Sequence, residues 1–166
     1  DAYPDSAVDE VVFWMAEQGR LGKKANAGFY SYDAGKRGGI WEGLSAQYPR
    51  AAAQPELTHV QHRLLMVQVL EAVRAFEQGV LTDIREGDVG AILGWGFAPW
   101  SGGPFAWLDI LGAARAVEIC DGLSAQYGAR FETPALLRDI AAKGGSFHAR
   151  FGAGTAAQAA CGPGHA

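Results

Sequence analysis

Apolar residues recur at helical spacing through most of this chain. Val8, Val11, Val12 and Met15 share one face of a segment running from Pro4 to Gln18, with proline in the first turn, acidic residues early and Gly19 as the stop. The longest periodic run is Leu57 to Gln78, closed by Gly79. Its formal charges are Arg63, Glu71, Arg74 and Glu77, and apolar residues take more than half its circumference, which predicts a largely buried central helix. Further helices are expected over about Arg85–Leu93, Pro104–Leu111, Ala113–Tyr127 and Pro134–Lys143, the last two stopped by Gly128 and Gly144. The predicted fold class is therefore all-α, a helical bundle.

Between these runs the periodicity lapses. Gly19 to Tyr32 reads as a glycine-punctuated loop ending in a short extended piece. Residues 34–56, with Gly35, Gly38, Gly39, Pro49 and Pro55, read as a connector holding one helical turn near Trp41–Tyr48. The tail over 152–166 is nearly all Gly, Ala and small polar residues and is expected to be flexible. Pro4 and Pro134 each open a helix that ends in glycine and is followed by a large apolar residue, Leu21 and Phe147. A chain that starts with the last helix of one unit (1–33) and continues through a complete second unit (57–151) would have this form. The hexapeptide Gly-Leu-Ser-Ala-Gln-Tyr occurs at 43–48 and again at 122–127, too short to define a repeat.

The densest stretch is 94–112, where Trp95, Phe97, Trp100, Phe105 and Trp107 are interleaved with five glycines, Pro99 and Pro104. A solvated linker has no need of these rings, so a sharp, apolar, buried loop entering a short helix at Pro104 is expected.

Bulk properties narrow the classes. The chain has 166 residues, 49% hydrophobic and 19% charged, which suits one domain, or one domain plus a fragment. It opens on Asp1 rather than Met, as a piece of a longer protein would. No apolar run is long enough for a membrane span, and the first residues do not form a signal peptide. A net charge of −4 without a basic cluster argues against nucleic acid. Two cysteines, Cys120 and Cys161, build no disulfide framework and fit a reducing, cytoplasmic compartment.

Three segments in order resemble the helical C-terminal region of 3-hydroxyacyl-CoA dehydrogenases, especially the multifunctional enzymes of fatty-acid β-oxidation. Arg20-Leu21-Gly22-Lys23-Lys24 with Gly28-Phe29-Tyr30-Ser31-Tyr32 is similar to the end of that family's first helical domain. Arg63-Leu64-Leu65 through Glu77-Gln78-Gly79-Val80 resembles the helix opening the second. Asp88-Val89-Gly90 through Gly96-Phe97, with Gly102-Gly103-Pro104 and Asp109, resembles a loop of the same domain, although Ala98 stands where the family often has proline. The likeness covers about residues 4–32 and 60–150.

The resemblance implies a parent in which an upstream Rossmann domain binds NAD and supplies a His–Glu pair, and it leaves open an enoyl-CoA hydratase half in the same parent. Hydride would pass from the 3-hydroxyl carbon of an acyl-CoA to NAD. The helical copies would close over the substrate and pack on one another, and self-association is expected. Within this chain Gly94-Trp95-Gly96 follows a helix and lacks the third glycine, so it is not a dinucleotide loop.

No residue here is assigned a catalytic, cofactor or metal role. Arg20, Lys24, Gly28, Phe29, Gly96, Gly102, Gly103, Pro104 and Asp109 are read as structural. Asp109 is expected to accept hydrogen bonds from backbone or from an arginine such as Arg115. Lys24 is read as a solvated loop lysine rather than a contact to a CoA phosphate, and Glu71 with Arg74 as an ion pair. His59 and His62, near Glu56, lack a third metal ligand and read as surface histidines; the sequence names no partner for His148, and His165 lies in the tail. Cys120 reads as a small hydrophobe and Cys161 as an exposed thiol. The rival to the dehydrogenase reading is a non-catalytic helical interaction module; a weaker one is an acyl-CoA binder using the 94–104 loop.

Overall fold

The computed structural model describes residues 7–152, which divide into two compact units between Gln54 and Pro55. The expected helix start at Pro4 and the tail with Cys161 and His165 lie outside the described residues.

The first unit holds helix α1 (Ala7–Glu17), a 3-10 turn over Lys23–Ala25, strands β1 (Tyr30–Asp33) and β2 (Lys36–Ile40), and helix α2 (Glu42–Gln47). The strands pair antiparallel, Tyr30 opposite Ile40 and Asp33 opposite Lys36, with an irregularity between Tyr30 and Tyr32. Ala34 and Gly35 join them, both at positive φ (46° and 78°), the backbone of a tight hairpin whose twist matches its strands. Residues 34–56 are therefore more ordered than a connector with one helical turn. β2 escapes a pattern search because all five of its residues are exposed and two are glycine. Met15 is buried, Trp14 stacks on Trp41 with ring centroids 5.6 Å apart, and Tyr48 meets Trp14 edge-on. Val12, expected on the apolar face of α1, is half exposed.

The second unit is helical throughout, with α3 (Leu57–Glu77), α4 (Ile84–Trp95), α5 (Pro104–Leu111), α6 (Ala113–Tyr127), α7 (Ala135–Lys143) and α8 (Phe147–Phe151). The α5 helix packs against α3, α4, α6 and α8, so the short proline-opened helix is the hub of the bundle. Phe76 of α3, Phe105 of α5 and Phe147 of α8 form a chain of ring contacts at 5.9 and 5.3 Å, with Leu70, Leu108, Leu137 and Ile140 around it. α3 buries a stripe, Met66, Val69, Leu70, Val73 and Phe76, while Leu57 and Leu64 face solvent. Its central position is as expected, its burial narrower. Among the described residues no helix is long and apolar enough to cross a membrane.

The 94–112 segment departs from expectation in one respect. Phe97, Phe105 and Trp107 enter the core, but Trp95 is 60% and Trp100 74% exposed. The loop is buried on one side and apolar on both.

Candidate functional site

Opening a helix with proline removes one backbone donor and leaves those that follow in need of acceptors. At α5 the acceptor comes from another helix. Asp88 of α4, buried at 4% exposure, takes the Phe105 N–H at 2.7 Å on Oδ1 and the Ala106 N–H at 3.2 Å on Oδ2. Gly103 makes this approach feasible: a Cβ there would stand 2.4 Å from the Asp88 Cβ, and its φ of 117° excludes most side chains anyway. Ser101 braces the turn, donating to the Ala98 carbonyl and accepting the Gly103 N–H.

Asp109, on the far end of α5, does the same for α8. It accepts the Phe147 and His148 N–H groups at 2.7 and 2.9 Å and meets His148 Nδ1 at 2.9 Å. The expected hydrogen bonds from backbone are present; Arg115 is engaged with Glu118 instead. The other ring nitrogen of His148, Nε2, lies 3.2 Å from Asp88 Oδ2. His148 thus bridges two aspartates. Burial pushes the Asp88 carboxyl up, opposed by the Phe105 amide, His148 and the Ala106 amide. A histidine between carboxylates is the raw material of acid–base chemistry, but both carboxylates already serve helix starts. The cluster is a clasp joining α4, α5 and α8.

In the first unit Arg20 has a comparable role. Its Nε donates to the Gly28 carbonyl at 2.8 Å and Nη2 to that of Tyr30 at 3.2 Å, while the guanidinium lies 4.2 Å over Trp41. Gly28 is packed so closely that a Cβ would come within 2.9 Å of Gly22 Cα. Lys24 is exposed on its 3-10 turn and Phe29 is 45% exposed.

A second feature is an apolar face with nothing from its own unit over it. Val89 and Leu93 project from α4 to solvent; Trp100, in the loop that follows, is exposed as well, and the exposed Trp95 donates to Gln68 of α3. Gly90 and Gly94 lie on the same helix surface, and a Cβ on either would meet no atom within 4 Å. A groove of about 480 Å³ lined by Asp83, Arg85, Glu86, Val89 and Gly90 continues it.

No family model matches the chain. Over 134 residues it is 39% identical to the fatty acid oxidation complex subunit alpha of Shewanella amazonensis (strain ATCC BAA-1098 / SB2B), an alignment covering 78% of this chain and 19% of that protein. The chain belongs to this family. It spans about a fifth of the length of the relative it matches.

Gly94-Trp95-Gly96 closes α4, with Gly96 as its left-handed cap, and follows no strand. Among the described residues no group of three or more His, Cys, Asp or Glu is placed to hold a metal. His59 and His62 line a separate cleft on α3 and α6. Cys120 is buried, its thiol pushed up to about 11 by desolvation, and is inert packing. Glu71 and Arg74 pair at 2.6 Å.

Sequence reasoning placed Asp88 in a motif without a role and gave His148 no partner. A signal for Asp88 was present: a Gly-Gly-Pro helix start, with no capping side chain of its own, demands a borrowed acceptor. Nothing comparable pointed to His148.

Proposed function

We propose that this chain is the C-terminal helical portion of an NAD-dependent 3-hydroxyacyl-CoA dehydrogenase of fatty-acid oxidation, and that its work is to dock and support rather than to catalyse. In this reading residues 1–33 end a first helical domain, 34–56 connect, and 57–151 form the second. NAD and acyl-CoA would be held by parts of the parent outside this chain, with hydride transfer occurring there.

The observation that carries the docking role is the face of α4. Glycine inside an exposed helix costs about 1 kcal/mol relative to alanine. Gly90 and Gly94 incur that cost with open space above them, on the helix from which Val89 and Leu93 also project to solvent. A surface shaped this way suits the close approach of another apolar helix, and the first helical domain of the same parent is the proposed occupant. A second copy of this chain is the rival occupant and would make the chain an interaction module.

The test is the pair Leu93→Asp and Trp100→Ser placed in the longer parent. Loss of dehydrogenase rate and a lowered Tm in the parent, with the Tm of the isolated chain unchanged, would support docking. Parent activity and stability both left intact would overturn it. Concentration-dependent dimerisation of the isolated chain, abolished by the same pair, would favour the module.

A further inference from the structure

A cleft of about 390 Å³ between α3 and α6 is lined by Thr58, His59, His62, Arg115, Glu118 and Gln126, over a floor that includes Ile119 and Leu123. Its two histidines each have a ring partner. His59 Nε2 is 2.9 Å from the Tyr127 hydroxyl, and the Arg63 guanidinium stacks 4.0 Å over the same ring. The His62 ring lies 6.4 Å from that of Trp107. Arg115 spends one guanidinium nitrogen on Glu118, at 2.7 Å, and both side chains are mostly exposed. Among the groups lining the cleft, Glu118 is the single acid, set against an arginine and two histidines.

We propose that this cleft binds a phosphate monoester, the phosphate against His59, His62 and Arg115 and the organic part over Ile119 and Leu123. Donors spread over two helices suit an anion that offers several oxygens, and Arg is the side chain best shaped for phosphate. The volume exceeds that of a phosphate ion alone and leaves room for a small body on the apolar floor. Glu118 competes with the ligand for Arg115. The charged groups facing His62 are His59 from its own helix and Arg115 from α6, both of which, after burial itself, hold its pKa below the usual imidazole value. A bound anion opposes that effect and raises it. The inference is independent of where the dehydrogenase chemistry resides.

The experiment is an NMR titration of the histidine ring protons in the 166-residue chain, with inorganic phosphate and with phenyl phosphate, against chloride at matched ionic strength. Saturable shifts at His59 and His62 but not His148, tighter for phenyl phosphate, together with a His62 midpoint that rises in phosphate, would support the site. Arg115→Gln should weaken binding about tenfold, the loss of one charge-assisted contact. Glu118→Gln, an exposed substitution that leaves the fold intact, should tighten it. Shifts equal to those in chloride, or unchanged affinity in both variants, would overturn the proposal; saturable shifts with inorganic phosphate but no gain for phenyl phosphate would overturn the monoester and leave an adventitious ion only.

Discussion

Two aspartates each complete a helix to which they do not belong. Asp88 supplies the acceptors that the Pro104 opening of α5 lacks, and Asp109 those at the start of α8. Asp88→Ala strands two donors at a buried helix start and should cost about 2–3 kcal/mol, Asp88→Asn less, by urea unfolding of the isolated chain. Gly103→Ala should cost about as much, because the added carbon strikes Asp88 and the backbone is left-handed. The pH signs of two carboxylates differ. Asp88 is raised in the fold, so its ionisation reduces stability as pH rises from the ordinary carboxylate range through the raised value. Asp83, held down to about 2 by Arg85, stabilises above the ordinary range and loses that contribution as pH falls toward 2. Tm against pH should therefore lose part of its acid-side fall in Asp83→Asn and gain acid-side steepness in Asp88→Asn. That Asp109 would accept backbone bonds was legible from an acid inside an apolar helix. The His148 link was not, because its partners come from two helices that only folding brings together.

At the scale of elements, α4 carries the most weight. Gly90→Ala and Gly94→Ala should each stabilise the isolated chain by about 1 kcal/mol, since both positions are helical and open. The same substitutions should weaken assembly in the longer parent if a helix approaches there, and differential scanning calorimetry on both proteins reads the two effects. Helix periods along the chain announced α3, α5, α6 and α7 well, because each has a stripe to bury or a sharp glycine stop. The hairpin of β1 and β2 was hidden, since exposed Lys36-Arg37-Gly38-Gly39-Ile40 alternates nothing. Exposure of Trp95 and Trp100 was hidden for a different reason: composition cannot separate a ring that fills the core from one that lies on the surface.

At the scale of the molecule, two compact units belong to a family whose matched relative is about five times longer than the alignment. The bundle around α5 supplies a packed helical body, a clasp that joins its short helices and an exposed apolar face on α4. These parts suit the scaffold role proposed above, in which the chemistry would lie in portions of a longer protein outside this chain. The most direct measurement is NADH oxidation with acetoacetyl-CoA, run side by side on this chain and on the longer protein. Turnover confined to the longer protein is the predicted result. Turnover by the isolated chain would contradict the account, since it would require a nucleotide site within these 166 residues.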